Sequence, residues 1–274
     1  LLQMKIFRNK NNLIKEISGL ENLGFVPTMG ALHKGHISLI RKARKVSKKV
    51  LVSIYINAKQ FNSRKDFKKY PKNFNKDIDI LKKQKVDFLY IPNDKDIYSF
   101  KVKKTIHLDK FSKKLCGRFR PGHFKAVVNV VNRFLEIIKP KTIYLGMKDF
   151  QQLSLIKSHI IKKNIKIKLV ICQTIREANG LALSSRNTKL KKDQILSAGK
   201  IYTYLKKNKK LILRKILKKN KSEILNKLIS LGAKKVDYIE CLNLKKLEFC
   251  KNINGNFNIF LAYYLNDVRL IDNL

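Results

Sequence analysis

The chain has 274 residues, and 62 lysines and arginines against 19 aspartates and glutamates give it a formal net charge of +43. With 44% hydrophobic residues it carries enough apolar side chains for one large domain or two smaller ones, which excludes a disordered polycation. Its longest apolar stretches, such as Val50 to Ile56, fall far short of the roughly 20 residues that span a bilayer. Leu1-Leu2-Gln3-Met4-Lys5 lacks the apolar core of a secretion signal, so membrane-spanning, secreted and collagen-like classes are not expected.

In chain order, strand-like and helix-like segments alternate. Leu23-Gly24-Phe25-Val26 reads as a short buried strand, followed by a turn at Pro27-Thr28-Met29-Gly30. From Gly35 to Lys48, Ile37, Ile40 and Ala43 fall at helical spacing with a strongly basic opposite side. Val50 to Ile56 is the near-continuous apolar run of a parallel strand covered on both faces, and Asp87 to Ile91 repeats it before Pro92. Phe124 to Ile138 reads as helix, Thr142 to Leu145 as strand, Phe150 to Ile161 as helix and Ile167 to Cys172 as strand. This order predicts an α/β fold with a doubly wound parallel sheet and ligands at the carboxyl ends of its strands. The character changes after Arg176: Asp193 to Leu231 is Leu/Ile/Lys-rich and helical, and strands are expected around Val236 to Cys241, Ile259 to Leu265 and Val268 to Ile271. Residues 1–175 and a smaller α+β domain over 176–274 are therefore expected.

The basic residues are scattered in short runs such as Lys48-Lys49, Lys82-Lys83, Lys103-Lys104 and Lys206 to Lys210. No arginine-rich arm or aromatic RNA-binding signature accompanies them, so the charge reads as drift of surface positions toward Lys and Asn, and no specific nucleic-acid or membrane partner is expected. The field nonetheless attracts anionic substrates. Cys116, Cys172, Cys241 and Cys250 form no C-x-x-C pair, so free thiols in a reducing cytoplasm are expected.

The chemistry concentrates in Val26-Pro27-Thr28-Met29-Gly30-Ala31-Leu32-His33-Lys34-Gly35-His36. It lies where a first strand turns into a helix, the usual place for phosphate, because small residues admit the backbone and the helix start offers N–H groups and a positive dipole end. His33 and His36, three residues apart, share a face and suit successive phosphates, protonated or as neutral donors. H-x-G-H by itself marks the broad nucleotidyltransferase superfamily, so another adenylyl- or cytidylyltransferase, or a nucleic-acid-binding relative without catalysis, are the alternatives.

The neighbouring residues narrow it. Pro27 to His36, Tyr55-Ile56-Asn57 with Gln60-Phe61, Asp66-Phe67 with Tyr70-Pro71, and Arg120-Pro121-Gly122-His123-Phe124 stand in order with Gly146-x-Lys148-Asp149-Phe150-Gln151-Gln152. Arg176-Glu177-Ala178-x-Gly180-Leu181-Ala182, Ser184-Ser185-Arg186-Asn187 and Arg269-Leu270-Ile271-Asp272-Asn273 complete the series. Over about residues 23 to 273 the chain resembles the pantothenate synthetase (pantoate–β-alanine ligase) family. The resemblance implies a Rossmann-like first domain with a smaller C-terminal lid domain, in a cytoplasmic homodimer. It also implies a two-step ligation: ATP and (R)-pantoate give pantoyl adenylate and pyrophosphate with Mg, and β-alanine then displaces AMP to give pantothenate.

By the same resemblance Met29, Gly30, Ala31, Leu32, His33, Lys34, Gly35 and His36 line the ATP site, with His36 as proton donor. Gly146, Met147, Lys148, Asp149, Ile175, Leu183, Ser184, Ser185 and Arg186 complete that site, and His33, Lys148 and Arg186 join His36 as catalytic. Gln60, Gln152 and Asn57 take pantoate and β-alanine; a carboxamide both donates to and accepts from a hydroxy acid. No fixed protein metal site is implied, only Mg arriving with ATP near Asp149. Arg120 and His123 are expected in the pocket's polar wall, and His107 and His159 as surface or structural residues. Two departures matter: Ala58 replaces the family's usual proline, which is expected to loosen Gln60, and Met147 replaces a glutamate beside the ATP site.

Overall fold

The structure, a computed structural model, describes residues 3–253 and 255–274. Its elements begin β1 (Lys5–Phe7), α1 (Lys10–Ile17), β2 (Leu23–Thr28), α2 (Lys34–Val46), β3 (Lys49–Ile54), α3 (Arg64–Lys68), α4 (Phe74–Lys83), β4 (Phe88–Tyr90) and α5 (Asp94–Tyr98). They continue with α6 (Cys116–Phe119), α7 (His123–Ile138), β5 (Thr142–Gly146), α8 (Phe150–Lys162) and β6 (Lys168–Cys172). The remainder is α9 (Lys192–Lys207), α10 (Lys209–Leu217), α11 (Ser222–Ser230), β7 (Lys235–Asn243), β8 (Glu248–Phe249), β9 (Phe257–Leu265) and β10 (Val268–Asn273). Two compact units result, Leu1–Lys113 with Arg120–Thr174, and Lys114–Phe119 with Ile175–Leu274.

The first unit is an all-parallel sheet in the order β1-β4-β3-β2-β5-β6. β3 and β4 are buried almost throughout, as their apolar runs require when helices cover both faces. On one face Val26, Val50, Val52 and Ile54 pack with Ile40 and Ala43 of α2 and Leu81 of α4. On the other, the Phe25 and Tyr90 rings lie 5.6 and 6.2 Å from Phe134 of α7. From β2 the chain winds outward through β3 and β4 to one side, and later through β5 and β6 to the other. Direction thus reverses between β2 and β5, where doubly wound sheets bind ligands.

The expected turn at Pro27–Gly30 starts later, because β2 runs on through Pro27 and Thr28. A proline inside a central strand normally breaks a ladder bond. Here β2 pairs with β5 only at Gly24 and Phe25, while Thr28 still accepts from Tyr55 N on the β3 side. By strand alternation the missing N–H of Pro27 faces the side where β2 and β5 have parted. The proline therefore sits at the opening of the crevice.

His159 is fully buried: its Nε2 meets Asn132 Oδ1 at 2.9 Å and its Nδ1 accepts from His107 N at 3.1 Å. Burial, then Lys163 and His107, lower its pKa from 6.5 to about 4. Between those values the unfolded chain binds the proton that the native one refuses, so stability falls as pH drops from 6.5 towards 4. The loss reaches about 3 kcal/mol at pH 4. A His159→Gln variant is expected to lose less stability than its parent between pH 7 and 4.5 in urea unfolding.

The second unit stacks α9, α10 and α11 on an antiparallel sheet of order β10-β9-β7-β8. Ile201, Leu205, Ile212, Leu213, Ile224 and Leu228 meet Ile239, Ile259, Leu261 and Tyr263 in its core. This matches the expected fold class, an α/β doubly wound sheet with a smaller α+β unit. The single cut expected after residue 175 does not describe the division, since Lys114–Phe119 groups with the second unit. Cys116 Sγ lies 3.1 Å from Tyr238 Oη and the Phe119 ring 5.8 Å from that of Tyr238, contacts between distant positions that no local pattern announces.

Candidate active site

β2 delivers the chain into the crevice at Met29, and α2 begins at Lys34. Between them Gly30 and Ala31 both take left-handed backbone, with φ of 75° and 49°. At Gly30 a side chain would also be crowded, its Cβ 3.0 Å from Asp77 Oδ2 and 3.1 Å from Ile54 Cγ2. The turn is pinned by Gly30 N on Thr28 Oγ1 at 3.2 Å and by Ala31 N and Leu32 N on Asp77 Oδ2 and Oδ1, each at 2.8 Å.

His33 caps α2: its Nδ1 accepts from Gly35 N at 3.1 Å, while its own N–H donates to His36 Nδ1 at 3.3 Å. With each Nδ1 an acceptor, each neutral ring carries its proton on Nε2. The rings lie 4.1 Å apart. Burial first and Lys148 second lower the His33 pKa to about 4, with Asp149 opposing; burial, His33 and Lys148 hold His36 well below 6.5. Of the two states the sequence allowed, the neutral donor is the one this environment favours. The pH profile of kcat/KM for ATP is accordingly expected to show no inflection near 6.5 and to fall only as pH approaches 4 to 5. An inflection at 6.5 assigned to either histidine by NMR titration would contradict this.

β5 ends at Gly146, and a 3-10 turn, Met147–Asp149, leads directly into α8. Because β5 adjoins β2, this turn opens beside the histidines. The Lys148 side chain is 18% exposed, with Nζ 3.5 Å from Asp149 Oδ1. Gln152 lies half-buried in the first turn of α8, next to Gln151, whose Nε2 donates to Phe111 O at 2.7 Å.

Gln60 ends a 3-10 turn, Ala58–Gln60, whose cap Asn57 accepts from Lys59 N at 3.2 Å. Its Nε2 contacts Met29 Sδ and its Oε1 accepts from Asn57 Nδ2 at 3.3 Å. Its carbonyl accepts from Arg120 Nη2 at 3.1 Å and His123 Nδ1 at 2.7 Å. Arg120 and His123, expected in a polar wall, thus grip the backbone of Gln60. These contacts supply restraint that a proline at position 58 would otherwise add, so the expected loosening of Gln60 is opposed by side chains far away in sequence.

In the second unit, Leu183 N donates to Ile175 O at 3.0 Å, closing a hairpin. Ser184 Oγ accepts from Arg186 N at 3.2 Å, Ser185 is buried, and Arg186 is half-buried in the turn Ser185–Lys189. The Arg176 block meets the terminal block directly: Arg176 Nη1 and Nη2 fork onto Asp272 Oδ2 and Oδ1 at 2.6 and 2.7 Å. Those two motifs act on structure.

Sequence reading missed Asp77. Asp77 and Leu81, four residues apart on one helix face, are both buried; a carboxylate on an apolar face was the available signal.

The family model for pantoate-beta-alanine ligase matches residues 4–274. The chain belongs to that family. A pantothenate synthetase of Francisella tularensis subsp. novicida is 42% identical over 96% of this chain and 92% of its own length. One from Pseudothermotoga lettingae is 35% identical over 100% of this chain and 98% of its own. Among solved structures, the pantoate-beta-alanine ligase of Francisella tularensis, complexed with beta-gamma ATP and beta-alanine, superposes with a TM-score of 0.83 at 41% identity, covering 99% of this chain and 97% of that one. The pantothenate synthetase of Thermus thermophilus gives 0.85 at 29% identity and 99% coverage of both. As a member of the pantoate-beta-alanine ligase family the chain is an ATP-using ligase, and the alternative nucleotidyltransferase and nucleic-acid readings fall away. Among the described residues no helix is long and apolar enough to cross a membrane.

Proposed function

We propose that this ligase joins (R)-pantoate to β-alanine through pantoyl adenylate, with the ATP phosphates received at the carboxyl ends of β2 and β5. The observation that best supports this reading is the pair of half-buried, neutral histidines beside Lys148, whose Nδ1 atoms both accept so that each Nε2–H is a donor. The pantoate carboxylate attacks the α-phosphorus, the bond to the bridging oxygen breaks, and pyrophosphate leaves with that electron pair. His33 and His36 donate hydrogen bonds to the phosphate oxygens, and Lys148 neutralises charge growing on pyrophosphate. The β-alanine amine then attacks the acyl carbonyl, loses a proton, and AMP departs. No protein nucleophile is required; orientation and charge carry the rate.

Gln60, fixed by Asn57, Arg120 and His123, is assigned to the pantoate hydroxyl and carboxylate, with Gln152 as its partner. Met29, Gly30, Ala31, Leu32, Lys34, Gly35, Gly146 and Met147 are assigned to ATP on the motif match. So are Ile175, Leu183, Ser184, Ser185 and Arg186 of the second unit, where the guanidinium suits phosphate. Among the described residues no cluster of three or more His, Cys, Asp or Glu side chains could hold a metal. Mg would be held mainly by ATP oxygens and water with at most one carboxylate, Asp149, where it would add positive charge at the phosphates. A homodimer is proposed on the family resemblance, to be checked by sedimentation. A reducing compartment is proposed on the four free cysteines.

Purified protein with Mg-ATP is expected to release pyrophosphate only with pantoate present, and to form AMP and pantothenate once β-alanine is added. Pyrophosphate release independent of pantoate would overturn the substrate assignment.

A further inference from the structure

The turn that carries both histidines is fastened to a carboxylate from another element. Asp77, 2% exposed, receives the N–H groups of Ala31 and Leu32, one on each oxygen, at 2.8 Å. Two successive N–H groups from residues around a left-handed pair form a concave anion site, and here the protein's own side chain fills it. The carboxylate is itself anchored. Asp77 N donates to Asn73 O at 3.0 Å, Asn73 Oδ1 caps α4 through Lys76 N at 3.1 Å, and Leu81, one turn on, is buried in the core against the sheet.

The order continues toward the chemistry. Leu32 precedes His33, whose N–H meets His36 Nδ1 and so selects the Nε2–H form of that ring. A small shift of the Ala31–Leu32 peptides would redirect the His33 N–H, because Leu32, held by Asp77, is bonded directly to His33. Gly30 leaves the space the arrangement needs, a Cβ there lying 3.0 Å from Asp77 Oδ2.

We infer that Asp77 is a positioning residue for the adenylation half-reaction, acting through the Gly30–Leu32 turn to aim the Nε2–H groups of His33 and His36. This rests on the reading that those histidines serve ATP. Charge-assisted bonds to a buried carboxylate are stronger and shorter than neutral ones. Asparagine is nearly isosteric but offers a single acceptor oxygen, and its NH2 would face an N–H.

The test compares the full-length parent with D77N, D77E and, as a separate check on the histidines, H36Q. Melting temperature, KM and kcat for ATP and for pantoate, and 15N-histidine NMR are read for each. D77N is expected to raise KM for ATP and lower kcat, each about tenfold, with KM for pantoate within about twofold. The NMR signature of the Nε2–H tautomer of His36 should weaken in step. D77E, which keeps both oxygens, is expected to recover part of the ATP affinity.

A lower melting temperature with unchanged ATP kinetics and unchanged histidine tautomers would make Asp77 merely structural and overturn the inference. Failure of both D77N and D77E to give soluble protein would do the same, assigning Asp77 to folding. Loss of ATP turnover in H36Q with none in D77N would sink the role of Asp77 alone. Full ATP turnover in H36Q would instead sink the histidine reading beneath it.

Discussion

Replacing Lys148 by methionine is expected to lower kcat/KM for ATP by two to three orders of magnitude while the protein stays folded. The side chain stands on a turn between β5 and α8, 18% exposed, with Asp149 Oδ1 at 3.5 Å as its acidic neighbour. Methionine matches its length and apolar stem, so packing is kept and only the ammonium is lost. A positioned donor facing charge that develops in the transition state contributes about 3 to 4 kcal/mol, because the site is drier than bulk water and the charge is already in place. A second signature separates this from a packing defect. Lys148 is one of the charges that depress both histidines, so its removal raises the His33 pKa from about 4 towards 6.5. Kinetics and a histidine NMR titration should therefore change together, and an arginine at 148 should restore much of the pKa depression. A kcat/KM within fivefold of the parent would show that the phosphates are neutralised elsewhere.

What could be read in advance follows from the range of the forces involved. β3 announced itself because burial on both faces makes five successive residues, Val50 to Ile54, apolar or small. The histidine turn was legible because its small residues and both histidines lie within Met29–His36, although the carboxylate that pins it, Asp77, does not. β6, read in advance as Ile167 to Cys172, was legible although only Cys172 in it is buried, whereas β1 is three residues long and mostly exposed and was not read. Edge strands need less hydrophobicity and so show less pattern. The helix α4 hid its inward face because a carboxylate, Asp77, occupies part of it. The least legible features are partnerships between distant positions: Asp77 with Ala31, 46 residues apart, and Arg176 with Asp272, 96 apart. Each motif block could be found, but which blocks touch could not, since spacing within a block says nothing about spacing between blocks. The exposed lysines taught little about the fold, as surface charge far from a partner contributes little energy either way.

Gly180→Ala is expected to destabilise the second unit by about 4 kcal/mol or more. Two separate physical causes add at this position. Gly180 has φ of +91°, a conformation that an L side chain rarely adopts, and an ideal Cβ there would lie 1.9 Å from Tyr202 Cδ1 and 2.3 Å from Cε1. The backbone strain costs about 1 to 3 kcal/mol, and forced overpacking a similar amount. Neither side yields easily. Gly180 N closes a turn onto Glu177 O at 2.8 Å, and Gly180 O accepts from Arg176 Nη1 at 2.9 Å. The same guanidinium lies 4.5 Å above the Tyr202 ring and is forked onto Asp272, so moving the ring disturbs a half-buried ion pair whose breakage is itself costly. Denaturant unfolding of G180A, Y202A and the double variant separates the two causes. With Tyr202 cut back to alanine the clash disappears and only the backbone strain remains, so the double variant should be less destabilised than the sum of the singles by about 2 kcal/mol or more. Simple additivity would show that the ring moves aside at no cost and that strain in the Glu177–Gly180 turn accounts for the whole loss.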